Sequence, residues 1–171
     1  MDDLAFLFDE ATWRAEGCFI DADGTADSAS GVTEVRHGTD VWTIEGEMKV
    51  ESDEIGEPIR NVYRVRPFTG EDSATSWTSE NPRLGRLEGT FSVVADSIVS
   101  VYGSEEGEAR GTECLRRVDP HTYEARGTLT IADERVTSWA LTLERVESPD
   151  RSSETGDSKA ETRTTRRSRN E

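Results

Sequence analysis

The sequence predicts an all-β fold: an antiparallel up-and-down barrel of about ten strands behind a short N-terminal helix. Three observations carry this. In segment after segment the large apolar residues fall on every second position, the period of a half-buried strand. These segments recur at a spacing of roughly 8–12 residues, with turns rich in Gly, Asp, Glu and Pro between them. Past the N-terminus no stretch has helical periodicity, so the crossovers that parallel strands need are missing and the sheet is antiparallel. Closing such a sheet on itself is the simplest way to leave no exposed edge.

The elements follow in order. Residues 2–10 carry acidic residues in front and apolar ones at Leu4, Leu7 and Phe8, one face of a short helix that reads as a lid or plug. Strands are expected at 13–20, 31–36, 41–50, 59–66, 73–78, 85–94, 97–102, 111–117, 122–131 and 136–146. Between them lie Asp21-Ala22-Asp23-Gly24, His37-Gly38-Thr39-Asp40, the gap 51–58, Pro67 to Gly70, Asn81-Pro82 and Asp119-Pro120-His121, all with turn residues. The 41–50 segment is the clearest stave: Trp42, Ile44, Gly46, Met48 and Val50 share one face. An aromatic-x-x-x-Gly spacing recurs there and at Trp13/Gly17 and Tyr123/Gly127, which suggests glycines placed for strand curvature. Residues 1–147 form one domain on this reading, and the Ser/Thr/Glu/Arg-rich stretch 148–171 a disordered polar tail.

Charge narrows the partners. The chain has 20 basic against 36 acidic residues, a formal net charge of −16. That disfavours phosphate backbones and anionic membranes, so neither nucleic acid nor a membrane is an expected partner. Two lysines stand against 18 arginines; acidic, lysine-poor composition fits a high-salt cytoplasm, where salt screens self-repulsion, the alternative being an acidic protein from a GC-rich genome that favours Arg codons. The acidic N-terminus is unlike a signal peptide and no run reaches membrane-span length, so the expectation is a soluble cytoplasmic protein. Cys18 and Cys114 lie far apart in different strands and are expected as free thiols.

No catalytic or metal motif is visible. His37 and His121 fall in expected turns, which predicts solvated imidazoles far from the interior. No Cys/His/Asp set has metal-ligand spacing, and no Gly-x-Ser-x-Gly marks a nucleophile. Strand phase offers an interior instead. If Trp42 faces inward, Ile44 and Met48 do too; Tyr63 brings Asn61, Tyr102 brings Ser100, and Glu113 shares a face with Gly111 and Leu115. The candidate lining is Trp42, Ile44, Met48, Asn61, Tyr63, Trp77, Tyr102, Glu113, Tyr123 and Trp139. An interior Glu113 would have its pKa raised by burial unless a cation pairs with it. Side chains alone do not easily fill a barrel of this size, so the expected function is binding or carriage of a small, largely hydrophobic ligand. An isomerase or cyclase using Glu113 with Tyr63 or Tyr102 as acid/base groups is the enzyme alternative. A structural or partner-binding barrel with a filled core is the third.

Ten antiparallel strands after a short helix, with Trp13 at the start of the first, resemble the calycin group of lipocalins, fatty-acid-binding proteins and nitrobindins. In lipocalins a Gly-x-Trp opens the first strand and an Arg on the last strand packs over that Trp. Here Ala11 replaces the Gly, Trp13 is in place and Arg145 is the matching Arg. The Arg-x-Tyr that holds a carboxylate in fatty-acid-binding proteins is absent, since Glu147 follows Arg145 two positions on. The last strand, around Ser138-Trp139-Ala140-Leu141, has no His of the kind that binds haem in nitrobindins, so haem is not expected.

Overall fold

A computed structural model describes residues 4–52, 56–70 and 72–146. A one-turn helix, α1 (Ala5–Phe8), precedes ten strands: β1 (Ala11–Ile20), β2 (Ala26–His37), β3 (Trp42–Val50), β4 (Ile59–Val65), β5 (Ala74–Asn81), β6 (Gly85–Val94), β7 (Ser97–Ser104), β8 (Ala109–Asp119), β9 (Thr122–Ile131) and β10 (Glu134–Arg145). Every strand pairs antiparallel with its sequence neighbours, and β1 pairs with β10 to close the barrel. The fold is the up-and-down barrel that strand periodicity predicts.

Alternation divides each strand into an inner and an outer face. Trp13, Ala15, Val35, Ile44, Val65, Trp77, Phe91, Ile98, Leu115, Tyr123, Leu141 and Leu143 all turn inward and are buried. Ion pairs such as Arg60–Glu47 and Arg116–Glu124 lie outside. They are exposed and contribute little to stability.

One end of the barrel is plugged. The apolar residues of the N-terminal segment, Leu4, Phe6 and Leu7, are buried there against the aromatic residues that begin β1 and β9. Phe6 packs on Trp13 and Tyr123 at centroid distances of 5.4 and 5.8 Å, and Trp13 meets Tyr123 edge-on at 5.3 Å. The Tyr123 hydroxyl accepts the Phe6 N–H. Arg145 lies 5.9 Å above the Trp13 ring and pairs with Asp9 at 2.7 Å, tying the last strand to the segment after α1. The buried Trp13 Nε1 has no hydrogen-bond partner.

Most strand boundaries differ from expectation by one to three residues, and three differences change the reading. β2 begins at Ala26 because Ala26-Asp27-Ser28-Ala29-Ser30, though small and polar, pairs fully with β1; only Ala29 of these is deeply buried. β5 runs on to Asn81, whose Oδ1 then accepts the N–H groups of Arg83 and Leu84 and forms the turn. His37 is the end of β2 and not a solvated turn residue. It pairs with Trp42, stacks on that indole at 4.0 Å, and has Nε2 3.0 Å from the Leu7 carbonyl oxygen. His121 is exposed, as expected, and Cys18 and Cys114 are free. The expected polar tail, 148–171, lies outside the described residues.

Candidate functional site

The half of the interior away from α1 is organised by rows of residues that lie side by side across neighbouring strands. In one row Trp77, Gly89, Tyr102 and Gly111 pair in succession from β5 to β8. In the next, Phe91, Ser100, Glu113, Gly127, Trp139 and Phe19 run from β6 around to β1.

Glycine and aromatic residues alternate in these rows for a steric reason. A Cβ on Gly111 would stand 2.1 Å from the Tyr102 ring, one on Gly127 2.1 Å from the Trp139 ring, and one on Gly89 2.6 Å from the Trp77 ring. The rings therefore lie flat over their glycine neighbours along the wall, as aromatic side chains do over strand glycines. Gly46, on the opposite wall, has no such role: a Cβ there would meet only Thr33 Oγ1, at 3.4 Å.

Two carboxyls share the inner face, Glu113 in the middle of this row and Asp27 on β2 beside Phe19. Because Gly127 has no side chain, the Trp139 indole reaches across it and donates its N–H to Glu113 Oε2 at 2.6 Å. Burial pushes the Glu113 pKa up, and the Trp139 hydrogen bond only partly opposes this. Among the described residues no cation offsets the burial. Arg145, the half-buried cation on Trp13, is at the plugged end.

The other polar groups here are phenols, hydroxyls and amides. Tyr63 meets Trp77 edge-on at 4.8 Å, and Trp77 lies 5.5 Å from Tyr102. Burial, reinforced by the Glu113 charge, pushes both phenols above their ordinary pKa, so each is a neutral donor at physiological pH. Neither phenol oxygen has a hydrogen-bond partner among the described residues. Trp77 Nε1 donates to Ser100 Oγ at 3.2 Å, and Asn81 Nδ2 to Asn61 Oδ1 at 3.4 Å. Ser79, beside Tyr63 in register and only 4% exposed, has an Oγ without any partner.

Tyr63, Tyr102, Glu113 and Trp139 face inward yet are only half-buried. An inward side chain keeps accessible surface only where water-sized space reaches it. Residual exposure reaches the level of Glu113 and Tyr63, whereas at the α1 end Trp13 and Tyr123 are at 0% exposure.

The ten residues expected to line the interior thus fall into two groups. Met48, Asn61, Tyr63, Trp77, Tyr102, Glu113 and Trp139 lie in the half away from α1. Trp42 packs with His37, Phe8 and Phe68 at the plugged end, Tyr123 belongs to the Phe6–Trp13 cluster, and Ile44 is buried core. Gly89, Gly111, Gly127 and Ser79 were not among them. Their part depends on which residue stands opposite on the next strand, which spacing within one strand does not show.

Among the described residues no three His, Cys, Asp or Glu side chains are grouped to hold a metal ion, and no helix is long and apolar enough to cross a membrane.

The architecture defines a calycin-like barrel. No family model and no curated protein matches the sequence. Among solved structures the chain is similar to the S-type phycobiliprotein lyase CPES from Guillardia theta, at 12% identity over 82% of this chain and 90% of that one, with a TM-score of 0.62. It is also similar to EF1p2_mFAP2b bound to DFHBI, at 13% identity over 85% of this chain and 99% of that one, with a TM-score of 0.47. At such identities the likeness is one of fold.

Proposed function

We propose that the protein binds or carries a small, largely hydrophobic molecule in the half of the barrel away from α1. The observation that carries this reading is a set of inward aromatic side chains that touch one another yet are neither fully buried nor exposed outside. Tyr63, Tyr102 and Trp139 keep solvent-reachable surface inside a closed sheet. A pocket with apolar walls and a few directed polar groups is the usual form of a small-molecule site. Met48, Asn61, Tyr63, Trp77, Tyr102, Glu113 and Trp139 are the contact residues in this proposal, while Trp42, Ile44 and Tyr123 support the floor. The shared fold with a phycobiliprotein lyase supports a container of this shape.

Native mass spectrometry of the purified protein and titration with 4-phenylbutanol, a neutral apolar ligand, test it. Saturable one-to-one binding supports the reading. Absence of any co-purified mass together with non-saturating titration contradicts it.

A second reading, acid–base catalysis on such a ligand, takes support from Glu113 and the phenols of Tyr63 and Tyr102, whose ionisation is coupled to the Glu113 charge. A ligand recovered from the protein chemically altered, and recovered unaltered from Glu113→Gln, would favour it.

A further inference from the structure

The interior wall holds Glu113 among several π-faces, with Asp27 on the same face beyond Phe19, and among the described residues no cation acts on Glu113. Among the described residues Trp139 supplies the single hydrogen bond made to Glu113, on Oε2, which leaves Oε1 without a donor there. Around it stand Tyr102 and Trp139, flat over Gly111 and Gly127. Tyr63, Trp77 and Phe91 form a joined aromatic group with centroids 4.8 to 6.4 Å apart. Further round, Ser79 Oγ is buried without a partner.

The carboxylate and the π-faces favour the same kind of ligand head group. A buried carboxylate without a counter-cation is stabilised by a ligand that brings one. Aromatic faces attract a cation by their quadrupole, most strongly when it is desolvated. The free oxygen of an ionised Glu113, Oε1, is satisfied by an N–H donor and not by another acceptor, while the Ser79 hydroxyl can take either role. A carboxylate-bearing ligand would instead meet Glu113 as a like charge, at a distance where repulsion in a low-dielectric interior is large.

We infer that the ligand is an amphipathic amine: an apolar, preferably aromatic, body with a protonated nitrogen that sits at Glu113 against the Trp139 and Tyr102 rings. This rests on the reading of the interior as a ligand site and specifies its chemistry. The ammonium donates to Glu113 Oε1, Trp139 keeps its bond to Oε2, and the apolar body lies along Trp77, Phe91 and Tyr63. Phenols that stay neutral act as further donors or acceptors to the bound molecule, since they can rotate to either role.

The test is a matched series, 4-phenylbutylamine, 4-phenylbutanol and 4-phenylbutyrate, titrated into the full chain by calorimetry. It is done in about 0.5 M NaCl so that the outer acidic surface is screened. The expected order is amine tightest, by about tenfold or more over the alcohol, and carboxylate weakest. In Glu113→Gln the amine should fall to the level of the alcohol, while Glu45→Gln, an exposed outer carboxylate, should keep the full preference. Near-UV circular dichroism reads whether each variant is folded, and the wild-type series needs no variant. Equal binding of the three, tighter binding of the carboxylate, or an amine preference that survives Glu113→Gln overturns the inference. Those outcomes leave the container reading standing as long as the alcohol binds. Failure of all three to bind removes both.

Discussion

Trp139 and Glu113 are held on either side of Gly127, on strands β10, β9 and β8, and the indole N–H crosses the glycine to the carboxylate at 2.6 Å. This relationship links the architecture of the wall to its chemistry. A glycine provides the room, an aromatic ring fills it lengthwise, and the ring's polar edge holds the carboxyl inside the barrel.

Glu113 makes the ligand-free protein pH-sensitive in a defined direction. Its folded pKa lies above the ordinary carboxylate value of 4.5. Below that value both folded and unfolded chains are protonated and there is no penalty. As pH rises the unfolded chain loses its proton first, so this group's contribution to stability falls until the folded pKa has been passed. Glu113→Gln should therefore be about as stable as wild type near pH 4 and more stable at pH 8. Urea midpoints across that range measure the difference; a gap that shrinks with rising pH would count against the buried-carboxylate account.

Two glycine substitutions should behave oppositely. Gly127→Ala drives a methyl into the Trp139 ring and should cost about 1–3 kcal/mol, with loss of the Trp139–Glu113 bond. Gly46→Ala has room beside Thr33 Oγ1 and should be neutral or stabilising by up to about 1 kcal/mol. Denaturant unfolding of both variants checks the pair.

Arg145→Met should loosen the plugged end. It removes the cation above Trp13 and the ion pair with Asp9 while retaining an apolar stem. A loss of about 1–2 kcal/mol is expected. Hydrogen exchange should show it first at the Phe6 amide, which donates to Tyr123.

The β9–β10 hairpin carries strain that can be relieved. Ala132 and Asp133 both have positive φ, 50° and 66°, in a two-residue connection between Ile131 and Glu134. That geometry suits Gly or Asn and not Ala. Ala132→Gly or Ala132→Asn should raise stability by about 0.5–1 kcal/mol, read as an increase in thermal midpoint.

Much of this fold is legible in the sequence because a half-buried strand writes its period directly: Trp42, Ile44, Met48 and Val50, or Leu87, Phe91 and Val93, identify both strand and face. The Trp13–Arg145 pairing is legible through the calycin resemblance, despite Ala11. Segments without large side chains are not legible in this way. Ala26 to Ser30 is strand because β1 lies beside it, and His37 is interior-facing because β2 runs on through it and the turn begins at Gly38. The site is half legible for the same reason. Tyr63, Tyr102 and Glu113 follow from phase within a strand. The division between the plugged half, with Trp42 and Tyr123, and the open half, with Trp139, follows from register around the whole barrel. So does the placing of Gly127 beneath Trp139 and not beside Tyr123.

The four tryptophans fall into two pairs, and their indole N–H resonances test that division most directly. Trp77 and Trp139 border the proposed ligand space, whereas Trp13 and Trp42 lie in the packed end. Titration of 15N-labelled protein with 4-phenylbutanol should shift the Trp77 and Trp139 indole signals saturably, and leave those of Trp13 and Trp42 in place. Shifts confined to Trp13 and Trp42, or no saturable shift at any of the four, would contradict it.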